Sequence, residues 1–552
     1  MSALQFIALG GMGRVTQNMY LYEYENEMVL IDCGIGFPDN FMPGVDVLIP
    51  DIAHILKKLE AGKQIVGMIL SHGHDDHIAA TPYLLPHLPE FPIFASPLTA
   101  GFAAQRMKDG KVDRTITTIT DTRPFQLGKH FSAQLLAVTH SVPDTRHILL
   151  HTPEGIIYHG SDFKLDPTPV DGVVSDLPHI TEFAQNKVLC MMVDCLRVEN
   201  DTWVQSESTT GPAILQTMQD VSGKYVMTLM SSHIHRIQQT VNAAVQMHRK
   251  VVFIGRSVEQ NVEIALQLGN LTIPEGVQVD KRDIDQFPES ELCLIVAGSQ
   301  GQEGSSLMRA VYGEHPILQI KPQDKVVFSA DAIPGNELSY FGAIDELSRN
   351  GISVVYPDIL PNLHQSGHAS APEQTELVGL VRPKFVMPIG GQDRHRALFV
   401  RRVAEPLGYP KHQVLLPETG EVLSFEHGDY RITEKVTIKP QIVDGLGIGD
   451  VGPVVLSDRQ ILGQAGIVVV VVPRHKGELK LDAISVVSRG FVFVKEADEV
   501  IEFIKDITRA AIQDKSNLPD ADIVKVIEKR LSRKLYEAIQ REPKVVPIIM
   551  DI

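Results

Sequence analysis

The sequence predicts an α/β protein of more than one domain, and three observations carry that prediction. Short β-branched apolar runs such as Ile65-Val66-Gly67-Met68-Ile69-Leu70 recur along the chain, with the length and composition of buried strands. Segments of helical period, such as 51–60, lie between them. At 552 residues the chain exceeds what one hydrophobic core holds and calls for about three domains.

Composition narrows the class. Hydrophobic residues make up 43% and charged residues 22%, the balance of a soluble globular protein. A net charge of −17 excludes a surface coated throughout with nucleic acid. A local basic groove stays compatible, because salt confines charge effects to about 10 Å. Cys33, Cys190, Cys195 and Cys293 form no CxxC pair and read as buried thiols in a reducing compartment. No apolar run reaches the roughly 18 residues of a membrane span, and no basic-then-apolar leader opens the chain. A cytoplasmic protein without membrane contact is expected.

In chain order, 2–9 and 19–31 read as paired strands joined by Gly10-Gly11-Met12-Gly13, the second ending in Asp32-Cys33-Gly34. An Asp at such a strand end can orient a ligating His from behind. The strand at 65–70 ends in Ser71-His72-Gly73-His74-Asp75-Asp76-His77. Imidazole and carboxylate together suit zinc or manganese. In an extended turn His72 and His74 point to one side, while Asp76 and His77 reach a second position close by, so the stretch can serve two ions. Further strands at 134–138, 155–158 and 187–193 end in Thr139-His140-Ser141, in His159-Gly160-Ser161-Asp162 and in Asp194. Open-sheet enzymes gather their chemistry at such strand ends, so His140 reads as a further ligand.

The HxHxDH stretch followed by His140 and Asp162 resembles the metallo-β-lactamase fold. The resemblance implies a four-layered αββα sandwich with two zinc sites, manganese being an alternative. By position, His72, His74 and His140 hold the first metal, Asp76 and His77 the second, and Asp162 bridges both.

From about 205 the pattern becomes α/β alternation. Four strands end in Ser231-Ser232-His233-Ile234-His235-Arg236, Gly255-Arg256-Ser257, Gly298-Ser299-Gln300-Gly301 and Ile333-Pro334-Gly335-Asn336-Glu337. Ser, Gly and Arg near helix starts suit phosphate binding by backbone N–H groups. These turns resemble the β-CASP insert of nucleic-acid hydrolases, and His364-Gln365-Ser366-Gly367-His368-Ala369-Ser370 resembles that group's motif with an essential His. Length, order and the tail stretches 443–452, 484–493 and 546–550 make the whole chain similar to the bacterial ribonuclease J family. The resemblance implies a first metallo-β-lactamase part at 1–205, a β-CASP insert at 206–370, a second metallo-β-lactamase part at 371–440, a linker at 441–460 and a C-terminal α/β assembly domain at 461–552. It implies hydrolysis of single-stranded RNA, endonucleolytic and 5′-to-3′ exonucleolytic, in rRNA maturation and mRNA decay, by water activated at the metals. His368, Asp76 and Asp194 are the implied catalytic residues. Ser232, His233 and His235 from one side, and His364, Gln365, Ser366, Gly367 and His368 from the other, are the implied RNA-binding residues. The tail lacks catalytic clusters and is expected to form a homodimer or higher homo-oligomer, or to join another ribonuclease J-type subunit.

The chain departs from the family pattern at three places. Gly390, in Met387-Pro388-Ile389-Gly390, stands where the family has a His ligand of the second metal. The family's Glu-Ile-Gly-Lys-Asn is here Arg14-Val15-Thr16-Gln17-Asn18, and its Ser-Thr-Asn after the Asp is Cys195-Leu196-Arg197. These departures give an alternative: a catalytically impaired paralogue with a weakened second metal, acting as an RNA-binding or regulatory subunit. A small-molecule metallo-hydrolase is a third reading, opposed by the insert. Arg382, Lys384, Arg394, Arg396, Arg401 and Arg402 read either as a solvated face or as the basic wall of an RNA channel.

Overall fold

The computed structural model describes residues 2–39, 41–333, 335–445, 447–491, 498–513 and 518–552. The chain divides into two compact units, 1–37 with 48–441 and 38–47 with 442–552.

In the larger unit two sheets face each other. One runs in the order Asp429–Lys435, Glu421–Glu426, Leu4–Ala8, Tyr20–Tyr24, Glu27–Ile31, Gln64–Leu70, Ile93–Ala95, Ile116–Thr118. The other runs Phe385–Ile389, Val188–Asp194, Gly155–His159, Arg146–Thr152, Phe131–Ala137, Phe125–Leu127. Alternating side chains of Leu4, Phe6 and Ala8 meet Phe131, Ala133, Leu135, Ile148 and Leu150 in a shared core, each large side chain contributing about 1.5–3 kcal/mol by leaving water. Helices Leu177–Ala184 and Ala371–Val381 cover the outer face of the second sheet through Ile180, Leu377 and Val378. Helices Ala53–Glu60 and Pro97–Asp109 lie against the first. These are the four αββα layers.

Two local differences from the sequence expectation have simple causes. Residues 19–31 form a hairpin, Tyr20–Tyr24 paired with Glu27–Ile31, because the chain reverses at Glu25 with φ of +52°. Strand Arg146–Thr152 was masked in sequence by His147 and His151.

The chain leaves the second sheet after Asp194, builds the insert and returns as Phe385–Ile389, parallel to Val188–Asp194 with Asp194 opposite Ile389. That register sets Gly390 immediately beyond Asp194. The insert holds five parallel strands in the order Lys250–Ile254, Leu292–Val296, Tyr225–Thr228, Lys325–Phe328, Ser353–Val355. Chain order reverses between Tyr225–Thr228 and Lys325–Phe328, where open α/β sheets form their ligand crevice. Those two strands lead into 229–236 and 329–331.

The smaller unit centres on Ile467–His475, flanked by antiparallel Ser485–Arg489 and parallel Lys544–Asp551. Helices Asp498–Gln513 and Asp520–Ile539 pack on it through Val468, Val470, Ile504, Ile527 and Leu531. Leu446 of the 443–452 stretch, the last two residues of the 484–493 stretch and Pro334 of the 333–337 turn lie outside the described residues. The stretch expected as a linker carries strands Gln441–Asp444 and Gly447–Ile448 and the start of helix Pro453–Ala465, which Pro453 opens at its first position. Among the described residues no helix is long and apolar enough to cross a membrane.

Candidate metal centre

Six strand ends build the centre. Strand Gln64–Leu70 delivers 71–77, strand Phe131–Ala137 delivers His140, and strand Gly155–His159 delivers Asp162. Asp194, Asp32 and Gly390 stand at the ends of three more. His72, His74, His140 and Asp162, all buried, each offer a ligand atom, and those atoms lie within 4.8 Å of one another. Asp162 Oδ2 lies 3.6 Å from His72 Nε2, 3.7 Å from His140 Nε2 and 3.6 Å from His77 Nε2. His77 Nε2 is also 3.7 Å from Asp76 Oδ2. The structure therefore brings together His72, His74, Asp76, His77, His140 and Asp162, residues spread over 91 positions of sequence (72 to 162).

The far side of each ring is fixed. His140 Nδ1 donates to the Gly367 carbonyl at 2.7 Å. His77 Nδ1 donates to Asp32 Oδ2 at 2.7 Å, and Asp32 also accepts from the Ser71 backbone N–H and hydroxyl. His72 Nδ1 lies 3.0 Å from Ser71 Oγ, and His74 Nε2 lies 3.2 Å from Ser141 Oγ. Such outer bonds fix ring orientation and tautomer. They leave His72 Nε2 buried without a hydrogen-bond partner, a costly state for a polar atom unless a cation completes it. His74 Nδ1 faces His140 Nε2 at 3.1 Å, a separation suited to two ligands of one ion. Burial first, then the neighbouring imidazoles, holds His72 and His140 well below the ordinary imidazole pKa, and burial holds His74 at about 3 against the pull of Asp162. Neutral rings are what metal binding requires, so this donor set fits a divalent cation.

Gly390 borders the same carboxylates without a side chain. Gly390 has φ of +66°, and a Cβ built on it would lie 3.5 Å from Asp194 Oδ1 and 3.8 Å from Asp162 Oδ1. The residue thus sits beside the Asp162 and Asp194 carboxylates and brings no side chain that could ligate a cation there. Asn18 Nδ2 lies 3.0 Å from His77 Nε2. Burial disfavours a charged His77, yet Asp162, Asp76 and Asp32 outweigh it and hold its pKa well above the ordinary range.

His368 stands over the centre. Its Nδ1 donates to Asp194 Oδ2 at 2.7 Å, and its Nε2 lies 3.9 Å from Asp162 Oδ2. Burial opposes its charge, but Asp194 and Asp162 raise its pKa to about 9. Asp194 also accepts from the Leu196 N–H at 2.8 Å.

The 364–368 loop is held from the insert by Arg236, a residue the sequence reading passed over. It donates to both oxygens of Glu207, to His364 Nδ1 at 2.8 Å and to the Gln365 and Ser329 carbonyls. Ser366 Oγ accepts from the His368 N–H at 3.1 Å. Buried His233 lies 3.5 Å from Glu207, and both its ring nitrogens lack hydrogen-bond partners. His235 points elsewhere, 3.1 Å from Asp171. Ser232 is half-buried just before helix Ile234–Gln246. The signal for Arg236 was its place beside His235. Asn18 was visible only as the last residue of a degenerate motif.

The basic run 382–402 is largely spent on structure. Arg394 pairs with Glu199, Arg396 with Asp393 and the Pro417 carbonyl, and Arg402 with Asp201. Arg382 and Lys384 bond backbone carbonyls. All four cysteines are free and buried.

Comparison with known proteins agrees with this geometry. Residues 12–165 match the metallo-beta-lactamase superfamily, 222–347 the ribonuclease J beta-CASP domain and 454–552 the ribonuclease J C-terminal domain. Ribonuclease J 1 of Streptococcus pyogenes is 32% identical, over 98% of this chain and 97% of that protein. The chain belongs to the ribonuclease J family. Other members are Ribonuclease J of Thermus thermophilus, 32% identical over 99% of this chain and 95% of its own, and Ribonuclease J2 of Bacillus subtilis, 30% identical over 100% and 99%. A crystal structure of a protein of unknown function from Enterococcus faecalis V583 shares the fold, with a TM-score of 0.55 at 15% identity over 76% of this chain and 100% of that one.

Proposed function

We propose that this chain is a metal-dependent ribonuclease that hydrolyses phosphodiesters of single-stranded RNA, as endonuclease and from the 5′ end, in rRNA maturation and mRNA decay. One observation carries the reading: His72 Nε2 is buried and partnerless beside His74 Nδ1, His140 Nε2 and Asp162 Oδ2, while the opposite nitrogen of each ring is anchored. Zinc suits this donor set, with manganese the alternative. A cation bound there polarises a phosphoryl oxygen and makes water more acidic.

The chain's own residues supply the rest. Asp194 holds His368 protonated and aims Nε2–H over the centre, where it can hydrogen-bond a phosphoryl oxygen and give its proton to the leaving oxygen. Arg236 fixes the loop that presents His368, and the Gly367 carbonyl fixes His140. We assign RNA binding to Ser232, His233, His364, Gln365, Ser366 and Gly367, where the insert meets the sandwich; His235, paired with Asp171, is not among them. We place the protein in the cytoplasm, as a homo-oligomer or with another ribonuclease J-type subunit through 461–552.

A second reading is favoured by Gly390: the second cation is held weakly by Asp76, His77 and Asp162, and turnover is reduced, leaving RNA binding or regulation as the main role. One assay separates the readings. Purified protein is given 5′-monophosphorylated and 5′-triphosphorylated single-stranded RNA with zinc or manganese, and His74→Ala is run beside it. Metal-dependent cleavage lost in His74→Ala supports the enzyme. Unaltered cleavage in that variant rejects the site. Tight RNA binding without cleavage selects the second reading.

A further inference from the structure

We infer that Arg197 is a phosphate-positioning residue, gripping a non-scissile phosphate of the RNA beside His368. The inference rests on the ribonuclease reading and adds to it a contact of this chain's own, since the family has Ser-Thr-Asn at 195–197. Three observations place the residue. Its backbone pairs in parallel with Ser370, two positions beyond His368. It lies three residues past Asp194, which holds His368 at 2.7 Å and the intervening Leu196 N–H at 2.8 Å. Its charge is felt at the insert: burial raises the Asp331 carboxyl and Arg197 opposes that rise, and Arg197 adds a small part, after burial, Arg236 and His233, to the lowering of the His364 imidazole. Asp331 and His364 Nε2 are themselves 3.6 Å apart, at the end of strand Lys325–Phe328 where the insert's strand order reverses.

Arg197 is also uncompensated. It is half-buried, and among the described residues no carboxylate pairs with it. With the Asn200 amide turned so that its oxygen faces the guanidinium, the orientation its surroundings satisfy, that oxygen accepts from Arg197 Nη2 and Nε at 3.0 and 3.3 Å. By contrast, Arg394 and Arg402 nearby are matched by Glu199 and Asp201. A planar guanidinium held by one neutral amide, with donors left over, suits a phosphate oxygen pair.

The test is RNA binding by full-length protein in EDTA, so that cleavage does not interfere, using a 5′-monophosphorylated single-stranded oligonucleotide over a salt series. The expected result for Arg197→Ala is about tenfold weaker binding at moderate salt and a log–log salt slope shallower by about 0.7, the contribution of one phosphate contact on a single strand. Arg197→Lys should recover the slope, because it keeps the charge. Asn200→Ala should lower thermal stability and leave the slope unchanged, which a merely structural Arg197–Asn200 bond does not predict. Should Arg197→Ala misfold, Arg197→Gln reads the same slope. An unchanged slope in folded Arg197→Ala or Arg197→Gln, with wild type binding RNA, overturns the inference alone. Wild type that fails to bind RNA overturns the ribonuclease reading and the inference with it.

Discussion

Gly367 does its work by having no side chain. A Cβ there would meet Ser141 Cβ at 2.8 Å and His140 Cε1 at 3.0 Å, so the loop approaches the His140 ring as closely as backbone allows, and its carbonyl takes the His140 N–H. Gly367→Ala should push the loop back, break that bond and displace His368. The expected loss of RNA cleavage is about 100-fold, the effect of an ångström-scale misplacement, with a fold that still melts cooperatively. Cleavage within twofold of wild type would show that the loop has slack. Asp32 acts from behind His77 in the same way. Its φ of +59° is one that Asp tolerates, and it gathers three donors from 71–77. Asp32→Asn should weaken metal affinity about 10- to 100-fold, read by competition with a chromogenic chelator. Unchanged affinity would remove Asp32 from the account. The cluster at 71–77 could be read from sequence because its spacing is local. The roles of Gly367, Asn18 and Arg236 could not, because each exists only as a contact with residues dozens to hundreds of positions away.

At the scale of elements, the inward strands carry buried histidines that take no part in the chemistry. His147 donates or accepts at Tyr158 Oη, 2.8 Å, and His159 at Tyr22 Oη, 2.8 Å. Burial lowers each to about pH 3, whereas the unfolded chain titrates near 6.5. The unfolded state therefore binds protons that the native state refuses. Stability from these rings is whole above pH 6.5 and falls as pH drops from there towards 3, by up to about 1.4 kcal/mol per pH unit for each ring. Denaturant midpoints should decline between pH 7 and 5, before the carboxylates titrate, and His159→Gln should flatten the decline. Equal slopes in the variant would contradict this. Strand positions here were legible as apolar runs, yet Arg146–Thr152 was not, because His147 and His151 break its apolar pattern while being buried or half-buried themselves.

Across the molecule, the layer plan followed from strand-end chemistry plus family motifs, while the unit boundary did not. Residues 38–47 fold with 442–552, a pairing some 400 positions apart that no local pattern encodes. If 461–552 drives assembly, light scattering of a chain ending at 441 should give the mass of one chain; an unchanged oligomer mass refutes that role. On the proposed reading His72, His74, His140 and Asp162 make one complete cation position, and a second beside Asp76 and His77 lacks a side chain at Gly390. Elemental analysis after exhaustive dialysis tests this most directly, on wild type, His74→Ala and Gly390→His. The account predicts one firmly held divalent ion per wild-type chain, none in His74→Ala and two in Gly390→His. Two firmly held ions in wild type, or one retained by His74→Ala, would contradict it.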